Sequence, residues 1–242
     1  TMIGVGALML TLTGVNYLST PKVIEARVAK EDQPSFGKVF STFFTKKNIG
    51  LSVGFVLLYR LGESQLVKMA SPFFLDSREA GGLGLSTTEV GFIYGTLGVI
   101  ALLAGGILGG ILISRDGLGK WMMPMAFAIN APNVGYIFLA WLQPESIAFA
   151  TTVVVIEQLG YGFGFAAFMV FLIFLAEGIF KTAHYALATG FMAMGMMLPG
   201  MLSGYMQQWL GYPGFFVWVV IATIPGFVMA YVVKYPREFG KK

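Results

Sequence analysis

Seven long apolar runs follow one another along this chain, near residues 1–18, 49–75, 88–113, 120–142, 146–176, 182–208 and 213–234. Short polar breaks separate them. About 20 apolar residues wound as a helix cover the roughly 30 Å of hydrocarbon in a bilayer. In lipid every backbone polar group must be satisfied within the protein, which leaves helices or a closed barrel. Barrel strands alternate inward and outward residues over about ten positions. Runs such as "GVIALLAGGILGGILI" (98–113) do not alternate. The expected fold is therefore all-α: a polytopic membrane protein with seven transmembrane helices.

Composition agrees. Only 12% of the 242 residues are charged and mean hydropathy is +0.75, whereas a soluble domain carries about a quarter charged residues. With no cysteine and the single His184, the chain offers no disulfide framework, no thiolate chemistry and no histidine-rich metal site. Neither a cofactor nor a metal is expected. The net charge of +4 fits basic loops beside a membrane rather than a nucleic-acid partner.

Lys and Arg set the expected orientation. Placing 19–48 in the cytoplasm puts 13 of the 16 basic residues on that side, including Lys46, Lys47, Arg115, Lys120, Lys181, Lys241 and Lys242. The opposite loops hold Arg78 alone, with Asp76, Glu79, Glu89 and Glu145. This is a strong positive-inside bias. The other two basic residues, Arg60 and Lys68, lie inside an apolar run.

Three segments are expected: a first helix at 1–18, a cytoplasmic loop at 19–48 and a six-helix transmembrane domain at 49–242. Within the loop, "TPKVIEARVAKEDQP" is charged and reads as loosely ordered. "SFGKVFSTFFTKKN" (35–48) can align Phe36, Val39, Phe40, Phe43 and Phe44 on one helical face, as an interfacial helix would. One helix before a long loop and six after it suggests the back half of a larger protein, unable to transport alone. Glycine pairs at small-xxx-small spacing, Gly105/Gly109, Gly106/Gly110, Gly160/Gly164 and Gly200/Gly204, point to close helix packing.

The charged residues in lipid carry the functional argument. An ionisable group at mid-bilayer costs about 2.5–3.5 kcal/mol or more, so it faces a partner or water. Arg60, Ser64 and Lys68 share a helical stripe, and Glu63 stands three residues from Arg60. Either Arg60 and Glu63 form a self-neutralising pair, or Arg60 binds an anionic solute. Glu157, Gln158 and Tyr161 form a second polar patch. Arg60 and Glu157 each lie about 11 residues, or about 16 Å, into their helices from opposite ends. Both thus reach the middle of the membrane. Asn130 and Asn133 are candidates for helix–helix hydrogen bonds or for the same site, and His184 reads as an interfacial histidine or a proton group.

"GGILISRDGLGK" (109–120) resembles the loop G-x-L-x-D-R-x-G-R-R of the major facilitator superfamily. Gly110, Leu112, Arg115 and Gly117 fall on the pattern, Lys120 lies one place past its basic end, and Ser114 stands where that family has Asp. "LLYRLGES" (57–64), "EQLGYGFGFAAFMVFL" (157–172), "AHYALATGF" (183–191) and "GYPGFF" (211–216) resemble, in this order, the branch of AmpG-type muropeptide permeases and peptide–acetyl-CoA transporters. The resemblance implies a twelve-helix carrier, of which this chain holds the last helix of the first half and all of the second. It implies a cytoplasmic gate at Gly110, Arg115, Gly117 and Lys120, and places the helices of Arg60 and Glu157 on a central cavity.

With no G-x-x-x-x-G-K-[ST] loop, the energy of a carrier would come from an ion gradient, a proton being the natural ion. No H-E-x-x-H or G-x-S-x-G motif and no paired intramembrane aspartates point to an enzyme. The expected function is a secondary transporter of the bacterial inner membrane that imports an anionic solute with a proton. The resemblance favours muropeptides. Acetyl-CoA, a siderophore or a sugar phosphate are other solutes open to it, and a non-transporting sensor is the alternative class.

Overall fold

The computed structural model describes residues 2–19 and 35–242, so residues 20–34 of the predicted 19–48 loop lie outside the described residues. The chain divides into two compact units, Thr1–Lys38 and Val39–Lys242. The first contains α1 (Met2–Ser19), an apolar helix with no acidic residue in its first turn and no basic residue in its last. The division falls within α2 (Phe36–Phe44), whose Phe43 is fully buried in the second unit.

The second unit is helical throughout its membrane passes. The first pass is α3 (Ile49–Leu58) followed by α4 (Leu61–Leu75), interrupted at Tyr59–Arg60. The second begins with α5 (Thr87–Phe92), where Ser86 and Glu89 form a reciprocal capping box. It continues through a π-helical turn, Ile93–Gly98, into α6 (Val99–Asp116). The third is α7 (Leu118–Asn130), a 3-10 turn over Ala131–Asn133, and α8 (Val134–Leu142). Next comes α9 (Ile147–Ala176), started by the Ser146 side chain accepting from the Ala148 N–H. The last stretch, α10 (Lys181–Ile221) and α11 (Ile224–Val232), contains a reversal.

Gly211 makes that reversal, with φ 65° and ψ 171° in the middle of an otherwise helical run. Before it, Gly195 lies against Leu57 and Gly200 against Lys68, so residue numbers rise together along the first pass. After it, Phe216 packs edge-on against Phe73, Thr223 meets Gly62 and Met229 meets Gly54, so they run in opposite directions. The stretch therefore crosses twice. Among the described residues, Thr87–Asp116, Leu118–Leu142, Ile147–Ala176 and Lys181–Val232 are long and apolar enough to cross a membrane. The chain is an all-α polytopic membrane protein, as its apolar runs predict.

The loops sort to two ends. At one, Lys46 donates to the Leu175 and Glu177 carbonyls, Lys242 N–H to Ser114 O and Gly119 N–H to Arg237 O. Burial lowers the pKa of the Lys46 amine, and the nearby Glu177 carboxylate opposes that shift. At the other end Tyr212 donates to Asp76, and Arg78 reaches the carbonyls of Gln143 and Pro144. Two aromatic-rich cores fill the second unit. One gathers Phe43, Phe55, Tyr59, Phe168 and Phe171; the other gathers Phe73, Phe74, Tyr136, Tyr212 and Phe216. Polar groups lie where the two meet.

Candidate functional site

The interruption between α3 and α4 puts Arg60 in place. Its backbone leaves the helical region (φ −110°, ψ 21°), and the helix resumes at Leu61. The side chain turns inward and is only 6% exposed. Its Nε donates to Glu63 Oε2 at 2.9 Å, and its Nη2 lies 2.8 Å from the same oxygen and donates to the Tyr161 hydroxyl at 2.6 Å. The guanidinium also lies over the rings of Tyr161 and Phe165, 5.1 and 4.8 Å from their centroids. Such stacking suits a planar, weakly hydrated cation. Glu63 Oε1 is buried without a hydrogen-bond partner.

Glu157 sits one helical turn before Tyr161 on α9 and is 2% exposed. Gln158 donates to both of its oxygens, at 3.3 and 3.0 Å, and Tyr136 donates to Oε2 at 3.3 Å. Tyr136 is in turn 2.6 Å from the hydroxyl of Tyr94, which the π-helical turn carries. These groups open on a cavity of about 360 Å³ between the first two passes and α8 and α9. Its walls are largely apolar, from Leu66, Ala70 and Val90, and its polar groups include Tyr94, Tyr136, Glu157 and Gln158. Arg60, Glu63 and Tyr161 are not among the residues that line it. Arg60 is answered by Glu63, whereas Glu157 meets only neutral donors. One guanidinium and two carboxyl groups leave a formal charge of −1, which a single proton would cancel.

The other residues singled out in the sequence are dispersed. Ser64 donates to Leu61 O within its own helix. Asn130 donates back to Ala126 O, and Asn133 is fully buried with no hydrogen bond at its amide. Lys68 is exposed. His184 is buried, with Nε2 3.2 Å from the Thr42 hydroxyl and 3.3 Å from Val39 O, between the rings of Phe43 and Phe180.

At the basic end, Gly117 takes φ 85° between α6 and α7, and a side chain there would strike the backbone of Arg237 and Glu238. Arg115, Lys120 and the Trp121 indole all converge on Asp116, at 2.9, 3.2 and 3.0 Å. The carboxylate missing at Ser114 is thus supplied two residues later. A side chain at Gly110 would meet open space. Asp116, Tyr94 and Tyr136 were not singled out from the sequence. The signal for Asp116 stood inside the quoted loop; two tyrosines within apolar runs gave none.

No family model matches the chain. It is 27% identical over 199 residues to the anhydromuropeptide permease of Escherichia coli strain K12, covering 82% of this chain and 39% of that protein. It is 26% identical over 204 residues to a Rickettsia prowazekii protein provisionally named transporter AmpG 1, covering 81% of this chain and 44% of that protein. A Rickettsia conorii protein of the same provisional name is 23% identical over 237 residues, or 94% of this chain and 55% of its own length. The resemblance to AmpG-type permeases read from the residues therefore extends over most of the chain. The chain spans about half or less of the length of these curated relatives.

Proposed function

We propose that this chain forms the solute-binding half of a proton-coupled secondary transporter of the bacterial inner membrane, of major facilitator architecture, which imports cell-wall muropeptides. The observation that carries the reading is the buried Arg60–Glu63–Tyr161 cluster beside Glu157, in a chain related to a protein named anhydromuropeptide permease. Carriers place their sites near the bilayer midplane, between moving halves. Arg60 exchanges Glu63 for an anionic group of the solute, and its fork suits a carboxylate at two points. Glu157 carries the proton, since no cation answers it directly. Gln158 and Tyr161 belong to this site, while Ser64, Asn130 and Asn133, spread over the surrounding helices, support its packing. Gly110, Arg115, Gly117 and Lys120 belong to the cytoplasmic gate, with the loop 19–48 and the C-terminus on the same side. The carrier of which it is part moves a solute rather than performing bond chemistry, and needs no cofactor.

Uptake of labelled anhydro-muropeptide by the intact carrier in proteoliposomes tests the reading, with acetyl-CoA and a siderophore as competing solutes. Muropeptide uptake that rises with an inward proton gradient is expected. Uptake indifferent to the gradient, or equal uptake of all three solutes, would refute it.

A further inference from the structure

The three hydroxyl and carboxyl groups Tyr94, Tyr136 and Glu157 form one hydrogen-bonded chain, 2.6 Å and 3.3 Å at its two links. Tyr136 is completely buried, and the cavity touches both tyrosines and Glu157. Tyr94 stands in the π-helical turn Ile93–Gly98. Such turns are rare and concentrate at functional sites. A hydroxyl has one hydrogen to donate, and an ionised carboxylate can only accept. With Glu157 ionised, Tyr136 must donate to Glu157, so Tyr94 must donate to Tyr136. The free valence of Tyr94 is then a lone pair. With a proton on Glu157 Oε2, the chain reverses: Glu157 donates to Tyr136 and Tyr136 to Tyr94. The hydrogen of Tyr94 is released to the cavity. One proton is added at Glu157, each tyrosine keeps its own, and no tyrosine ionises.

We propose that this chain is a polarity switch that reports the protonation of Glu157 to the solute cavity. Tyr94 offers the cavity an acceptor when Glu157 is ionised and a donor when it is protonated. A solute that presents a carbonyl or carboxylate oxygen at Tyr94 is held in the proton-loaded state and released from the other. By linkage, the solute then favours proton binding to the same degree. The inference rests on Glu157 as the proton site. The groups that face Glu157 leave it that role. Gln158 beside it is a neutral donor, and Glu63 on α4 and Arg60 before it are paired with each other. Tyr161, one turn along α9, accepts from Arg60.

Infrared difference spectroscopy across a pH titration reads both ends of the switch, using the intact carrier in lipid nanodiscs with ring-labelled tyrosine. A protonated-carboxyl band that is absent in Glu157→Gln is expected, together with a shift of the tyrosine C–O band over the same pH range. Tyr94→Phe should lose part of the tyrosine shift and Tyr136→Phe all of it, with the carboxyl band kept in both. A carboxyl band that titrates without any tyrosine change, or a tyrosine shift that survives in Tyr136→Phe, overturns the switch. Absence of a Glu157-dependent band overturns both the switch and the proton site. Failure of muropeptide uptake with the coupled bands present counts against the solute alone.

Discussion

Arg60 pairs with Glu63 in the structure and, in the proposed cycle, with the solute, and the two roles predict different things. Its pairing with Glu63 is structural: both are buried, and removing one partner of such a pair costs about 3–5 kcal/mol, while replacing both by apolar residues of similar size is often neutral. Arg60→Ala should therefore lower the melting temperature in detergent markedly, and Arg60→Met with Glu63→Leu should restore most of it. If Arg60 also holds the solute, the restored double variant should still bind no labelled muropeptide. Binding at the wild-type level would reduce the pair to a structural one. Glu157→Gln keeps the acceptor and donor shape but not the titration. It should leave muropeptide binding within a few-fold and abolish the dependence of uptake on the proton gradient, read by comparing uptake with and without the imposed gradient. The identity of these residues was legible because charge in an apolar run is costly and therefore conspicuous. The tyrosines were not, since a phenol inside a hydrophobic run is indistinguishable by composition from an aromatic core residue. Tyr59, stacked at 5.4 Å on Phe168 in the core, and Tyr136, bonded to Glu157, read alike in sequence.

Helices were legible as lengths, not as shapes. The predicted run at 146–176 matches α9 (Ile147–Ala176) to within a residue, and 120–142 matches the pass formed by α7 and α8. Hydropathy sees how much apolar surface must be covered. It does not see backbone angles, so the interruption at Arg60 and the π-helical turn at Ile93–Gly98 left no trace in it. The glycine pairs show the same limit. A Cβ at Gly105 would fall 2.1 Å from Leu159 O, where α6 and α9 touch backbone to backbone. At Gly110 and Gly204 it would meet nothing within 4 Å. The spacing rule marks all the paired glycines equally, because it registers a stripe and not which side of the stripe has a neighbour. Gly105→Ala should cost about 1–3 kcal/mol through forced separation of the two helices. Gly110→Ala should be neutral within about 0.5 kcal/mol, as surface changes usually are. Parallel thermal melts of the two variants check this, and equal losses would show that the contact is not what holds α6 to α9.

Two ends with different chemistry organise the whole molecule. One carries Lys46, Arg115, Lys120 and the C-terminal lysines, and the other carries Arg78 among acidic loops. The positive-inside rule turns that asymmetry into an orientation. The chain has no cysteine, so single cysteines at 78 and 181 can be probed with an impermeant thiol reagent in intact cells. Labelling at 78 and protection at 181 is expected; the reverse would invert the molecule and the direction of import proposed for it. The interrupted first pass also bears on how the molecule is made. On insertion scales a central arginine costs about 2.5–3.5 kcal/mol and each Leu, Ile, Phe or Val returns only about 0.3–0.6. One arginine thus cancels roughly five to ten apolar residues, and this pass also carries Glu63 and Lys68. Its stacking partners, Tyr161 and Phe165, emerge from the ribosome about a hundred residues later. During synthesis the pass that carries the candidate site is therefore the one least able to stay in the membrane unaided, and its settling must await α9.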